Sequence, residues 1–543
     1  MRILILGGGF GGAYAAMALE RLLGDRDDIE VALINRDNYL VFQPLLAEVV
    51  SGDVGVHDTV TPLRRLVPRT RLFVRDVTSV DLEASTVTLA PAFHPREVVL
   101  GWDRLIVALG SVPALSAQPG FAEHAMPFRT LADAVRLRNH LIRVLEQAAI
   151  EEDPSARTTL LTFVVAGGGF SGTELAAGMN DFLQEAVAAF RPALSPRNIR
   201  VVLVHNGEYV LEREVSPQLA RYATRALART GVELALGVRA DSATPESVVL
   251  ADGRRIGTRT FVTTVPSAPS PVVMSLDLPS DKGRLRVGPT LQVEGRDDVW
   301  AIGDCANVPH PEPGKLCPPT AQYAIRQAAL TASNVLASID GGSQRPFTFT
   351  GLGKLGALGR RRAVAELPGG VRLSGLPAWL AWRAVYWSKL PGLDRKLKVG
   401  ASWLMDLVVP TEITQLELGG SAGVGRVHLK AGDTVLRQGD LGDHLYMIIS
   451  GEVEVVRETG VAEEPLAVLG PGEYFGEMAL LGRGVRGNTV RCLTPTQLLT
   501  LPASDFSDLI AGIPGLRRQF EDVAALRAQR QDADRHEPFR DPS

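Results

Sequence analysis

The stretch Arg2-Ile3-Leu4-Ile5-Leu6-Gly7-Gly8-Gly9-Phe10-Gly11-Gly12 decides the fold, and Leu161-Thr162-Phe163-Val164-Val165-Ala166-Gly167-Gly168-Gly169-Phe170-Ser171-Gly172 repeats its design. Each is an apolar run of strand type, then glycines spaced G-x-G-x-x-G, then small apolar residues of helical type (Ala13 to Leu19; Leu175 to Met179). The glycines allow a tight turn and let backbone approach a pyrophosphate. The helix that follows presents unpaired N–H groups and the positive end of its dipole. One such loop is a weak signal. Two of them, each in strand-loop-helix context, predict two dinucleotides on one chain, most simply a flavin and a nicotinamide. The expected class is α/β, with two Rossmann-like dinucleotide-binding domains.

Working outward, Ile29–Asn35 and Arg200–His205 read as the second strand of each unit, being apolar and β-branched. Trp102–Gly110 and Asp298–Ala306 read as further strands, and about Ala321 to Ser338 as a helix. This order places one dinucleotide domain discontinuously at 1–115 and 266–345, around another at 116–265. Residues 346–415 are aromatic and basic, and 419–425 (Gly419-Gly420-Ser421-Ala422-Gly423-Val424-Gly425) read as a flexible linker. From 426 to 520, short alternating runs separated by turns such as Gln438-Gly439-Asp440 and Gly470-Pro471-Gly472 predict a small all-β module. A charged tail, 521–543, closes the chain.

At 543 residues the chain is too long for one core and suggests three or four domains. A net charge of −4 gives no reason to expect nucleic acid. Cys305, Cys317 and Cys492 form no C-x-x-C pair, which argues against a disulfide scaffold and fits a reducing cytoplasm. The first strand starts at residue 2, so no signal peptide is expected, and no apolar stretch reaches the ~20 residues of a spanning helix. No metal site is predicted.

Three further motifs carry a resemblance. They are Phe42-Gln43-Pro44-Leu45-Leu46, Ala301-Ile302-Gly303-Asp304, and Pro318-Pro319-Thr320-Ala321-Gln322-Tyr323-Ala324-Ile325-Arg326-Gln327 with its A-Q-x-A-x-Q core. With the two glycine loops, they make the first 415 residues similar to type II NADH:quinone oxidoreductases. The resemblance implies FAD in the discontinuous domain, held by Gly7, Gly9, Gly12, Asn35, Gln43, Asp304, Ala321 and Gln322. It implies NADH at 116–265, on Gly167, Gly169, Gly172, Glu174 and His205, and a quinone on the far side of the flavin. Glu174, Gln322 and Gln327 become the catalytic candidates. By spacing alone the two glutamines are ordinary helix residues, and Glu174 is a first-turn carboxylate satisfying a helix dipole. A positive helix end near Thr320 would stabilise an anionic reduced flavin.

The chain departs from this pattern in places. The strand-end acid that binds an adenosine ribose is Asn35 in the first unit and His205 in the second. Asparagine still offers a hydrogen bond to the ribose. His205 lacks the charge that rejects a 2′-phosphate, but no arginine follows in Asn206-Gly207-Glu208, so NADH is preferred over NADPH. The family's tryptophan-glycine turn is missing from Phe261–Pro266. Disulfide reductases need a cysteine pair soon after the first loop and sulfide:quinone reductases need cysteines astride the flavin. Neither arrangement is present here, and Cys305 and Cys317 read as structural thiols.

Residues 376–409 hold Trp379, Trp382, Trp387 and Trp403 interleaved with Arg383, Lys389, Arg395, Lys396 and Lys398, broken at Pro391-Gly392. Amphipathic aromatics with cations suit an interfacial helix on anionic lipid. A homodimer or domain-packing surface is the alternative. With the family resemblance, the expectation is a peripheral anchor within 346–415, on the cytoplasmic face of the membrane. Residues 426–520 resemble a cyclic-nucleotide-binding domain, through Tyr474-Phe475-Gly476-Glu477-Met478-Ala479-Leu480-Leu481 and Arg486. That resemblance implies cAMP or cGMP, with Gly476 and Arg486 at the phosphate and Glu477 at the ribose 2′-hydroxyl. Gly487-Asn488 departs from the pattern, so a barrel that only mediates contacts stays open. The expected function is FAD-dependent, non-proton-pumping electron transfer from NADH to a membrane quinone, under cyclic-nucleotide control. The alternatives are a sensor or scaffold with an inert reductase half, or a flavin reductase with another acceptor.

Overall fold

The computed structural model describes residues 1–90, 98–115, 118–264, 267–406, 409, 412–415, 425–440, 442, 444–459, 463–483, 486–512, 516, 518–520, 522–525 and 527. Residues 419–424 of the expected linker, Val265 and Pro266, and most of the tail lie outside them. Two units result, one drawn from 1–90 and 99–415, the other from 416–543, and each is described by itself.

The principal elements of the first unit begin with β1 (Arg2–Leu6), α1 (Phe10–Leu23), β2 (Glu30–Asn35), α2 (Leu46–Ser51), β3 (Arg71–Val74), β4 (Arg104–Val107) and α3 (Leu131–Ile150). There follow β5 (Thr162–Ala166), α4 (Phe170–Ala186), β6 (Arg200–His205), α5 (Pro217–Arg229), β7 (Glu233–Leu236), β8 (Thr260–Thr263), β9 (Val299–Ala301) and α6 (Ala321–Ile339). The unit ends with β10 (Lys354–Ala357), β11 (Ala363–Leu367), β12 (Val371–Gly375), α7 (Leu376–Lys389) and α8 (Leu393–Met405).

β1 is central in a five-stranded parallel sheet of order β9-β4-β1-β2-β3. Ile3, Leu4, Ile5 and Leu6 are fully buried, because helices cover a parallel sheet on both faces and its strands read as continuous apolar runs. Leu6 lies opposite Ile34 and Val107, so the first glycine loop leaves the sheet at the edge where β2 and β4 end. The second sheet copies this. β5 lies between β8 and β6, with β7 beyond β6, and Ala166 lies opposite Val204 and Thr263. Ligands of such sheets bind outside the carboxyl ends of the strands, where the order reverses.

Residues 354–375 form an antiparallel sheet, β10-β11-β12, ahead of the two expected helices. α7 and α8 part at Pro391-Gly392, where Gly392 takes φ +88°.

The second unit contains β13 (Gly425–Leu429), β14 (Thr434–Leu436), β15 (His444–Ser450), β16 (Val453–Glu458), β17 (Glu463–Leu469), β18 (Tyr474–Phe475), β19 (Thr489–Cys492), β20 (Thr496–Pro502) and α9 (Ala503–Gly512). Its two antiparallel sheets have orders β13-β20-β15-β18 and β14-β19-β16-β17. β20 alternates buried and half-buried residues as a period of two requires. Ile448, Val453, Phe475 and Leu498 are among its core residues.

Candidate functional site

Both glycine loops are cradles at the ends of central strands. In the first, Gly7 takes φ +98°, a conformation that side chains disfavour. A Cβ on Gly12 would stand 1.7 Å from the Gly7 carbonyl oxygen, whereas one on Gly9 would meet nothing within 4 Å. Gly12 is thus needed for the strand-helix approach, and Gly9 faces open space of the kind a pyrophosphate requires. The residues present fit a flavin dinucleotide. Asn35 uses its carboxamide within the loop: Oδ1 accepts from Gly8 N–H (2.8 Å) and Nδ2 donates to the Asp37 carbonyl (2.7 Å).

Asp304 stands just past β9, in the turn Gly303–Cys305. Its Oδ2 accepts from Arg129 Nη2 (3.0 Å) and Ser111 Oγ (3.1 Å), a pairing not legible in the sequence. Gln327 is buried, and its Oε1 accepts from Gly303 N–H (2.8 Å), so it sets the turn that carries Asp304. Gln322 is also bound to backbone, donating to the Gly353 carbonyl (3.2 Å) and accepting from Leu352 N–H (2.9 Å). Ala321 opens α6, whose N-cap Thr320 makes no side-chain cap bond, and Gln43 is exposed at the start of a short 3₁₀ turn.

In the second cradle Gly167 takes φ +116°, and a Cβ on Gly172 would stand 1.9 Å from the Gly167 carbonyl oxygen. A Cβ on Gly169 would face Glu214 Oε1 at 3.1 Å. His205 Nδ1 accepts from Gly168 N–H (3.2 Å), and burial lowers the imidazole's pKa. The ring is therefore neutral with its proton on Nε2, a buried atom that has no hydrogen-bond partner among the described residues.

Glu174 corrects an expectation. It is the fifth residue of α4, whose first turn carries no acid, so it is not a dipole-satisfying carboxylate. Its Oε1 accepts from Ala357 N–H (2.9 Å) at the end of β10, and burial raises its pKa to about 7. Around it lie Glu48, which sequence reasoning missed, and residues of 376–409 that it read as an interfacial stretch. Trp403 Nε1 donates to Glu48 Oε2 (2.8 Å), and the Arg383 guanidinium lies 4.1 Å from the Trp379 ring and 4.7 Å from the Trp403 ring. Trp382 packs against Tyr386 and Trp403.

The tryptophans of 376–409 therefore do not all face outward. Trp382 and Trp403 are buried, and the outer faces carry Leu376, Leu380 and Trp387 on α7 with Leu393, Leu397, Leu404 and Met405 on α8. No helix among the described residues is long and apolar enough to cross a membrane.

Within the second unit, Gly476, Glu477 and Arg486 come together. Arg486 is buried and donates to the carbonyls of Gly476 (2.9 Å) and His444 (2.8 Å), with its guanidinium over the Tyr446 ring. Glu477 is buried and pairs with Arg527 at 2.7 Å. The three cysteines are free and buried, and burial pushes Cys305 and Cys317 up to about 11, so neither supplies a thiolate nucleophile at neutral pH.

Residues 1–328 match the pyridine nucleotide-disulphide oxidoreductase family, and 426–512 match the cyclic nucleotide-binding domain family. The chain is 33% identical over 412 residues to demethylphylloquinone reductase NdbB of Synechocystis, covering 74% of this chain and 95% of that protein. It is 31% identical over 421 residues to type II NADH:quinone oxidoreductase NdhA of Mycobacterium tuberculosis, covering 74% and 86%. Among solved structures, NDH2 from Plasmodium falciparum in complex with NADH matches with TM-score 0.70 at 18% identity, covering 76% of this chain and 99% of that one.

Proposed function

The chain belongs to the type II NADH:quinone oxidoreductases, and from that premise we propose that it carries FAD, takes its electrons from NADH and passes them to a membrane quinone without pumping protons. The observation that carries this reading is the pair of matched cradles. Gly9 opens onto space a pyrophosphate would fill, and Glu174 is buried just past the second loop. FAD, when bound, supplies acceptance of a hydride and onward delivery of two electrons. The chain's own residues do the rest. Gly7, Gly9 and Gly12 receive the FAD pyrophosphate, Asn35 lies at its adenosine ribose, and Asp304, set by Gln327 and Arg129, accepts from sugar hydroxyls. Gln43 and Ala321 lie along the flavin. Gln322 ties the start of α6 to residues 352–353.

Gly167, Gly169 and Gly172 receive NADH. His205 is neutral and no arginine follows it to pair a 2′-phosphate, which favours NADH over NADPH. Glu174 holds a proton near neutrality for the quinone. Residues 376–409 lay their exposed leucines and cations on the cytoplasmic face of the membrane. Residues 426–512 bind cAMP or cGMP and adjust the reductase. A visible spectrum tests the core of this: the purified protein should be yellow, bleach with NADH without air, and recover on adding a quinone. A colourless protein would overturn the flavin assignment.

A further inference from the structure

Reduction of a quinone by NADH balances only with one proton from water: NADH + H⁺ + quinone gives NAD⁺ + quinol. The hydride counts as two electrons and one of the two protons on the quinol oxygens. The other proton must come to the quinone from water.

A partly enclosed cavity of about 40 Å³ lies between α2, α4 and α7, and Glu48, Asp53, Glu174, Asp181, Arg360 and Arg383 line it. That is room for about three or four waters at ~10–15 Å³ each. Glu48 is held at the wall by Trp403 and shares the cavity with Asp53 and Glu174. Asp53 and Asp406 are brought together by one guanidinium: Arg360 Nη2 lies 3.9 Å from an Asp53 oxygen and 3.2 Å from an Asp406 oxygen. This pair sits near the surface, with side chains 14% and 13% exposed. Arg360, 43% exposed, reaches both of them and Glu185. Arg383 lines the cavity with Glu48 and lies 3.9 Å from an Asp406 oxygen, and its Nε is buried without a hydrogen-bond partner among the described residues.

We propose that the Asp53–Asp406 pair and Glu48 are the inlet through which the proton taken from water reaches Glu174 and the quinone. This rests on the quinone being reduced beside Glu174. A proton loaded on the aspartate pair passes to Glu48 and on to Glu174 through the cavity, and each donor is reloaded from behind. Glu48 faces Asp53 beyond α2, Glu174 on α4, Arg383 on α7 and Trp403 on α8. Asp53 faces Asp406, Arg360 and the buried Arg138 of α3. Burial raises both Glu48 and Asp53 above the usual carboxylate range, which keeps exchangeable protons there near neutrality.

The test uses the full-length flavoprotein with Glu48→Gln, which keeps an acceptor for Trp403, and Asp406→Asn, which keeps the side chain's size and an acceptor for Arg360. Stopped-flow reoxidation by a soluble quinone should slow at least about tenfold more than reoxidation by ferricyanide, which takes electrons and no proton. The quinone rate should also lose its pH dependence. Infrared spectra of the protein, with or without flavin, should lose one carboxylic-acid C=O band in Glu48→Gln. Equal slowing with both acceptors, or an unchanged quinone rate, overturns the proposal. A wild-type protein that reduces ferricyanide and no quinone overturns the quinone reading itself.

Discussion

Gly9 and Gly12 show how one methyl group has opposite consequences three residues apart. At Gly12 it would lie 1.7 Å from the Gly7 carbonyl oxygen, in the loop that leaves the central strand. Gly12→Val should cost at least the ~1–3 kcal/mol of an overpacked core and yield little folded protein. At Gly9 the added side chain meets only open space. Gly9→Val should melt within a degree or two of the wild-type apoprotein, on the order of what an open surface site costs, yet retain no flavin after gel filtration. Stoichiometric flavin in folded Gly9→Val would remove the cradle assignment. Glu174 makes a different claim, about pH. Its acid is held protonated up to about 7, against an ordinary 4.5. Between those values the folded protein keeps a proton that the unfolded chain has shed. Its stabilising contribution is therefore complete below 4.5 and is lost as pH rises through 7, at up to about 1.4 kcal/mol per pH unit. Glu48 and Asp53 shift in the same direction, so Glu174→Gln should shallow the fall in urea midpoint from about pH 5 to about pH 8 without abolishing it. A slope as steep as wild type would mean that Glu174 is ionised in the fold.

Elements show what a sequence can and cannot announce. The two strand-loop-helix units, the helix from Ala321 and the break at Pro391-Gly392 were legible because each is written in consecutive residues: apolar period, turn glycine, helix breaker. The sheet of 354–375 was hidden under a composition that reads as aromatic and basic, although alternation around Gly359 and Gly369-Gly370 was there to find. The acids beside Glu174 were not legible at all. Glu48 meets Trp403 across most of the first unit's length, and Arg129 meets Asp304 across two domains, pairings that no local pattern encodes. The buried Trp382 and Trp403 show the same limit, since composition placed them on a helix without saying which face. What remains outward on α8 is Leu393, Leu397 and Leu404, at 71%, 63% and 69% exposure. If these enter a lipid interface, Leu397→Glu with Leu404→Glu removes two burials of roughly 1.5–3 kcal/mol each. Sedimentation with anionic vesicles should then weaken at least about tenfold while flavin content stays constant. Undiminished sedimentation would discard the anchor, and a change from dimer to monomer in light scattering would assign the face to a second copy instead.

At the scale of the whole molecule the question is whether residues 426–512 report to the reductase. Arg486 and Glu477, the residues proposed to take a cyclic nucleotide, are both engaged: the guanidinium by backbone carbonyls, the carboxylate by Arg527. A nucleotide whose ribose hydroxyl takes Glu477 must displace Arg527, while one whose phosphate takes Arg486 gains a charge-assisted contact at some expense to those carbonyls. The two arginines should therefore act with opposite sign. Arg486→Ala leaves a buried phosphate unpaired, at a cost of roughly 2–5 kcal/mol, and should weaken cAMP or cGMP binding in calorimetry by well over tenfold. Arg527→Ala removes a competitor for Glu477 and should tighten binding, by about threefold to tenfold for a partly buried ion pair. A general loss of folding cannot produce that pair of results, since it would weaken both variants. If the module regulates, the nucleotide should change NADH:quinone turnover in the wild type, change it at lower concentration in Arg527→Ala, and leave Arg486→Ala unaffected. Heat of binding without any change in turnover would leave a nucleotide site that does not control the reductase, and no heat with either nucleotide would leave a contact domain.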